Sequence, residues 1–309
     1  MGASTSARST ADAVASIAAD REAVRGALAV WSGRYLAEGY GALGEAMRYS
    51  LLGPGKLLRP VLLLAAYRAA GGTGDAAALA AAVEVVHAYS LVHDDLPCMD
   101  DDAVRRGRPT THKTFGPVVA ALAGVAMVPL AARWACDAAR ALALPAAACT
   151  SIVQELMRAS GASGMVGGQV LDLAGEAEGG AGLSQDELER IHAGKTGALM
   201  VAAMRIGGIA ARCDPERLAG LARYGAALGL AFQIADDVLD ATATTAQLGK
   251  TAGSDAARRK TTYAALLGVG RARARAEELA GTACGALAES GLLTPTLEHL
   301  ARFAVSRSS

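Results

Sequence analysis

Two acidic stretches stand far apart in this chain, His93-Asp94-Asp95-Leu96-Pro97-Cys98-Met99-Asp100-Asp101-Asp102 and Phe232-Gln233-Ile234-Ala235-Asp236-Asp237-Val238-Leu239-Asp240. Carboxylates crowded among apolar residues carry a heavy desolvation cost unless positive charge neutralises them. Hard divalent cations take oxygen ligands, and Mg²⁺ commonly bridges a few carboxylates to a substrate phosphate. The two stretches therefore predict a metal–diphosphate site between two facing helices.

Helix geometry sharpens this expectation. In a helix through 232–240, Asp236 and Asp240 lie one turn apart on one face, with Gln233 on the same stripe and Asp237 at its edge. A solvated acidic surface would suit the aspartates, but Phe232, Ile234, Val238 and Leu239 around them argue against it. In the first stretch, Pro97 cannot continue a helix and biases Leu96 away from the α region. A helix from about Ala76 should end at Asp94 and Asp95, with Asp100 to Asp102 in the loop beyond. That bend would aim Asp100 back at a metal bound by Asp94. An acidic loop with no other role is disfavoured, because acid at a helix C-terminus opposes the macrodipole.

Basic residues complete the pattern. Gly55-Lys56-Leu57-Leu58-Arg59-Pro60, Arg105-Arg106-Gly107-Arg108, Lys195-Thr196, Lys250 and Lys260 flank apolar segments. The forked donors of Arg and the point charge of Lys both suit diphosphates. Singly, each reads as a surface residue; beside two carboxylate clusters they read as two anion pockets. Gly53-Pro54-Gly55-Lys56 is not a phosphate-binding P-loop, since Ser50 stands where the first glycine belongs and Leu57 follows the lysine.

The elements that must hold these groups read as helices. Of 309 residues, 52% are hydrophobic and only 4% aromatic, alanine is abundant, and β-branched runs are scarce. Breaks fall at Leu52-Gly53-Pro54-Gly55, Gly71-Gly72-Thr73-Gly74, Leu96-Pro97, Gly107-Arg108-Pro109, Gly179-Gly180-Ala181-Gly182, Asp214-Pro215 and Gly249 to Asp255. Ser184 with Glu187 makes a capping box, and Asp214-Pro215-Glu216 reads as cap, first helical position and first-turn acid. No linker divides the chain, so 1–309 is expected to be one all-helical domain with a flexible polar tail of about ten residues.

Charge and targeting exclude several classes. Formal net charge is zero, so no general attraction to nucleic acid or acidic membrane follows. Cys98, Cys136, Cys149, Cys213 and Cys284 lack paired spacing and suggest buried small hydrophobes in a reducing compartment, rather than disulfides or a zinc site. Residues 1–25 lack the apolar core of a signal peptide. Met1-Gly2-Ala3-Ser4-Thr5-Ser6 fits a loose myristoylation pattern and the Ser/Arg content a transit peptide, yet a polar tail is the plainer reading. The apolar run Val118–Ala135 nears membrane-spanning length, but Pro117, Pro129 and Arg133 favour a buried core helix.

Taken in order, Gly55-Lys56-x-x-Arg59-Pro60, His87-Ala88-Tyr89-Ser90-Leu91-Val92-His93-Asp94-Asp95-Leu96-Pro97-x-Met99-Asp100 and Arg105-Arg106-Gly107 resemble a trans-type short-chain polyprenyl diphosphate synthase. The likeness continues through Gly168-Gln169-x-x-Asp172, Lys195-Thr196-Gly197, Phe232-Gln233-x-x-Asp236-Asp237-x-x-Asp240 and Gly249-Lys250, and covers nearly the whole chain after residue 40. Bacterial farnesyl and geranylgeranyl diphosphate synthases are the nearest in pattern. The resemblance implies an isoprenoid-synthase-type helical bundle with a central apolar cavity, cytoplasmic and homodimeric, without nucleic acid or membrane insertion. It implies about three Mg²⁺ per site, with Mn²⁺ an alternative, held by Asp94, Asp95, Asp100, Asp236, Asp237 and Asp240. Arg105, Lys195, Thr196, Gln233 and Lys250 would touch an allylic diphosphate. Lys56, Arg59, His87 and Arg106 would cradle isopentenyl diphosphate, and Lys260 joins the substrate-binding set. Taken alone, His87 would be read as a core histidine.

The implied reaction ionises the allylic diphosphate, lets the isopentenyl double bond attack the cation, and ends with proton loss. Asp94, Asp95, Asp100, Lys195, Asp236 and Asp237 would carry the ionisation. Tyr89, on the order of 7.5 Å below Asp94 at 1.5 Å per residue, resembles the ring that stops growth in farnesyl-producing relatives, so C15 is expected, with C20 the alternative. Three positions depart from the pattern: Leu57 where arginine is usual, Val125 where aspartate is common, and Ala264 in place of proline. Rival readings are a class I terpene cyclase, a head-to-head condensing enzyme and a silent regulatory subunit. The intact Asp236–Asp240 motif speaks against the cyclase and the silent subunit.

Overall fold

Alanine-rich sequence without β-branched runs folds here into helices, as expected. The structure, a computed structural model, describes residues 2–36, 39–177, 183–242 and 261–306. The first four helices are α1 Gly2–Tyr35, α2 Gly41–Leu51, α3 Leu58–Ala69 and α4 Ala77–Asp94. A minimal hairpin follows, β1 Val104–Arg105 antiparallel to β2 Arg108–Pro109. Next come α5 Thr111–Phe115, α6 Pro117–Ala141, α7 Ala146–Ser160, α8 Met165–Ala177 and α9 Gln185–His192. A π-helical turn, Ala193–Gly197, leads without a break into α10 Ala198–Ala210, and α11 is Pro215–Thr242. The last three are α12 Tyr263–Leu267, α13 Val269–Glu289 and α14 Pro295–Ser306.

The core forms where α10 lies between α3 and α11 while α4 packs on α3 and α6. Small residues let these helices approach: a Cβ on Gly207 would fall 2.5 Å from the Leu63 carbonyl oxygen. The few aromatics act as pins. The fully buried Trp134 donates its indole N–H to the Ala78 carbonyl at 2.9 Å and stacks on Trp31 at 5.7 Å, joining α6, α4 and α1. Tyr224 donates to the Leu297 carbonyl at 2.8 Å and ties α11 to α14.

Local signals are realised at both expected caps. Ser184 and Glu187 form the reciprocal capping box, and Asp214 accepts the N–H of Arg217 at 2.9 Å. Three expectations change. Where a polar tail of about ten residues was expected, α1 is already helical from Gly2, since no glycine or proline interrupts residues 3–25. Helix α6, unbroken at Pro129 and running on to Ala141, is only half the buried core helix that was expected: Ala120, Ala123, Met127, Ala131 and Trp134 face inward, while Val118, Leu122 and Val125 are exposed. Of the cysteines, all free, only Cys149 is buried, three are half-buried and Cys98 is exposed.

Trp134→Ala removes both the aromatic pin and the bond to Ala78, and should cost about 3–5 kcal/mol. Chemical denaturation with an unchanged helical spectrum would measure it; a loss below 1 kcal/mol would mean that the pin is dispensable.

Candidate active site

The first acidic stretch lies at the C-terminal end of α4 and the second in the last turns of α11. Helix α4 ends at Asp94, and the chain turns at Leu96 and Pro97. The turn folds back tightly: the N–H of Asp100 donates to the Asp94 carbonyl at 2.8 Å, and that of Asp101 to the Leu96 carbonyl at 3.1 Å. Asp101 takes positive φ (48°) to make this turn, and its carboxylate pairs with Lys113 at 3.3 Å on the surface. Asp100 is thus returned to Asp94, as the proline predicted, while Asp101 is directed away.

Asp95 is 3% exposed, and its Oδ1 accepts the Nε–H of Arg105 at 2.6 Å. Arg105 also reaches Asp102 at 3.3 Å. Burial nevertheless outweighs this guanidinium and pushes the Asp95 carboxyl up to about 6, with Asp102 and Asp94 adding to the rise. Such a wall lacks positive charge, which is the condition that a divalent cation meets.

Arg106 and Gly107 form the two-residue hairpin turn, both at positive φ (53° and 75°), the geometry of a type I′ turn. The strained turn carries Arg106 to the Pro54 carbonyl, 2.9 Å from Nη1, with Nη2 facing His87 Nε2 at 3.5 Å. Burial, together with Arg59, Arg106 and Arg105, drives the His87 pKa well below its usual value, so its ring is neutral. Arg59, in the first turn of α3, is lowered by burial and held up by Glu84 and by Asp236 of the second motif. Lys56 is exposed, its carbonyl accepting Arg21 Nε at 3.1 Å. Arg59, His87 and Arg106 are therefore one cluster, with Lys56 three residues before Arg59 along the chain, and Asp236 acts on Arg59 from α11.

Lys195 and Thr196 sit in the π-helical turn. Lys195 donates to Asp172 Oδ2 at 2.6 Å, and Thr196 donates to Gln233 Oε1 at 2.8 Å. The turn is held by glycine contacts: a Cβ on Gly168 would fall 2.1 Å from the Lys195 nitrogen, and one on Gly229 2.8 Å from the Gly197 Cα. Asp236, Gln233 and Asp240 follow the expected stripe of α11. Asp237 departs from it. Counted above among the metal ligands, it is buried with Oδ2 accepting the N–H of Tyr263 at 2.8 Å, because one residue along a helix turns the side chain by about 100°. Tyr89 is buried with its hydroxyl on the Ser160 carbonyl at 2.8 Å, wedged between α4 and α7, and burial pushes its pKa up to about 12. Lys250 and Lys260 lie outside the described residues, as do the breaks at 179–182 and 249–255.

Residues that the sequence reading left without a role also belong to this site. Glu84, one turn before His87, is buried with Oε2 unpartnered, and its charge acts on both Arg59 and Arg106. Gln169 is buried with neither amide atom bonded. Asp172 is the partner that holds Lys195. The i, i+3 spacing of Glu84 and His87 was the available signal for the first. Of the departures, Leu57 is buried at positive φ (51°) at the head of α3, and Val125 points outward from α6, away from the cluster. Ala264 lies in the first turn of α12, where no intrahelical N–H bond would be lost to proline.

Among the described residues no three His, Cys, Asp or Glu side chains stand preassembled around a metal. The donors are carboxylate oxygens on separate elements, a set that suits Mg²⁺ completed by substrate phosphates better than an all-protein cage.

The family described as polyprenyl synthetase matches residues 41–289. A farnesyl diphosphate synthase of Escherichia coli is 46% identical over 272 residues, covering 85% of this chain and 89% of that protein. A chloroplastic geranylgeranyl pyrophosphate synthase of Arabidopsis thaliana is 45% identical over 239 residues, 77% of this chain and 66% of that longer protein. A geranyltransferase from Legionella pneumophila superposes with a TM-score of 0.83 at 31% identity, covering 97% of this chain and 99% of the other. An FPP/GFPP synthase from Zymomonas mobilis superposes with a TM-score of 0.80 at 32% identity, covering 95% and 100%.

Gly168→Ala should push the turn carrying Lys195 away from α8. A shift near 1 Å in such a group costs on the order of a hundredfold in turnover. Steady-state kinetics beside an unchanged circular dichroism spectrum is the measurement, and wild-type turnover would show that the close approach is not needed.

Proposed function

Since the chain belongs to the polyprenyl synthetase family, we propose that it joins isopentenyl diphosphate to an allylic diphosphate, yielding trans farnesyl or geranylgeranyl diphosphate. The observation that carries this reading is the meeting of three parts. The first acidic wall is backed by Arg105, the second reaches Arg59 through Asp236, and a basic cluster with neutral His87 lies alongside.

Asp94, Asp100, Asp236 and Asp240 are the carboxylates to hold Mg²⁺, about three ions per site with Mn²⁺ an alternative, and Asp95 adds the oxygen that Arg105 leaves open. When bound, the metal neutralises charge on the diphosphate oxygens as the C–O bond breaks. Arg105 and Lys195 meet the same charge from the protein side, and Thr196 and Gln233 line the approach. Lys56, Arg59, His87 and Arg106 hold the second diphosphate and orient its double bond toward the cation. The apolar walls of alanine and valine keep water from the cation. Lys250 and Lys260 enter this proposal on sequence alone. Tyr89, pinned to the Ser160 carbonyl, supports C15 as the main product.

The exposed stripe Val118, Leu122 and Val125 on α6 supports a homodimer through this face. Free cysteines and the likeness to the Escherichia coli enzyme support a cytoplasmic location.

Incubation with Mg²⁺, isopentenyl diphosphate and C5, C10 or C15 primers should give linear prenyl diphosphates, mainly C15. Cyclic hydrocarbons would identify a cyclase, and no product would leave a regulatory subunit. Asp94→Ala or Asp236→Ala should each lower turnover by at least about 3 kcal/mol of barrier without unfolding; retained turnover would remove these carboxylates from the metal site. Tyr89→Ala should shift product toward C20 or longer, and an unchanged C15 distribution would leave Tyr89 a packing residue. Light scattering should give twice the chain mass, and Leu122→Asp should return the monomer; a monomeric wild type contradicts the dimer.

A further inference from the structure

Asp237 belongs to a buried network of side chains behind the second acidic motif. Its Oδ2 accepts the N–H of Tyr263 at 2.8 Å and lies 3.7 Å from His192 Nε2. The ring of His192 stacks on Tyr263 with centroids 5.8 Å apart and planes 21° from parallel. Tyr263 donates its hydroxyl to Glu189 Oε1 at 2.6 Å, and the tyrosine is wholly buried. Four side chains thus join three elements: Glu189 and His192 at the end of α9, Asp237 on α11, and Tyr263 at the start of α12.

Two of these elements carry or adjoin residues of the site, and the third packs against them. His192 stands three residues before Lys195, Asp237 is adjacent to Asp236, and Tyr263 opens the helix that follows segment 243–260. The two adjacent aspartates serve different sides of one helix. Asp236 acts on Arg59 across the cavity, whereas Asp237 satisfies an N–H at the start of α12 that has no intrahelical acceptor.

We propose that Asp237 is a positioning residue rather than a metal ligand. It fastens Tyr263 to α11 and, through Tyr263 and His192, sets the distance between Asp236 and the turn that carries Lys195 and Thr196. The proposal rests on the prenyl-transfer reading for the roles of Asp236 and Lys195.

Asn at this position keeps an acceptor oxygen but makes a poor ligand for a hard cation, so Asp237→Asn and Asp237→Ala separate the two roles. Three readings are compared: amide hydrogen exchange at Tyr263, Mn²⁺ bound in the presence of inorganic diphosphate (by electron paramagnetic resonance), and KM for the allylic diphosphate against kcat. If Asp237 positions, Asp237→Ala speeds exchange at Tyr263 by roughly tenfold and raises KM. Asp237→Asn then restores both, and the count of bound Mn²⁺ matches wild type. If both variants lose bound Mn²⁺ while Tyr263 stays protected, Asp237 is a ligand and the proposal is overturned. Exchange in Asp237→Asn as fast as in Asp237→Ala overturns it too. The exchange reading is independent of metal. Failure of the wild type to bind Mn²⁺ with diphosphate would sink the prenyl-transfer reading and leave the anchor to be judged on exchange.

Discussion

Negative charge inside a helical wall is the constraint around which this site is arranged. Asp95 has a guanidinium at 2.6 Å and still lies up at about 6, so burial there outweighs a close ion pair. Positive charge is accordingly distributed to acidic partners throughout: Arg105 to Asp95 and Asp102, Lys195 to Asp172, Arg59 and Arg106 around Glu84. In the proposed reaction, a diphosphate with its cations would meet groups that are already paired. Such binding would exchange one acidic partner for another, which limits the reorganisation that each basic side chain must undergo.

Backbone strain collects in the same place. Leu57, Asp101 and Arg106 are non-glycine residues at positive φ, and all three border the site. Each turns the chain where a neighbouring group must be delivered: Arg59 at the head of α3, Asp100 beside Asp94, and Arg106 against His87. Among the described residues the other two, Ala143 and Arg212, merely end helices α6 and α10, a common place for left-handed backbone. Strained conformations persist where surrounding packing over-determines them. Here the bond from Arg106 to the Pro54 carbonyl and the pairing of Asp101 with Lys113 hold two of these turns in place.

Local rules were legible along the chain. Alanine content announced helices, Ser184/Glu187 and Asp214-Pro215 announced their starts, and Pro97 announced the bend that returns Asp100 to Asp94. The hairpin at 104–109 was not legible, because strands of two residues show no alternation. Neither was the outward face of α6, where Val118, Leu122 and Val125 are exposed although the run reads as a buried core helix. The role of Glu84 was equally hidden: among apolar neighbours on α4 it reads as an isolated charge until α3 and the hairpin bring two guanidiniums to it.

Residue type and one-turn spacing, properties of a single helix, were enough to determine that Asp236, Asp240 and Gln233 share a face and that carboxylates and basic groups suit a metal-bound diphosphate. What each of two adjacent aspartates meets was decided by tertiary structure alone. Asp236 and Asp237 are chemically identical, and only the arrival of Tyr263 and His192 on one side of α11, and of Arg59 on the other, tells them apart.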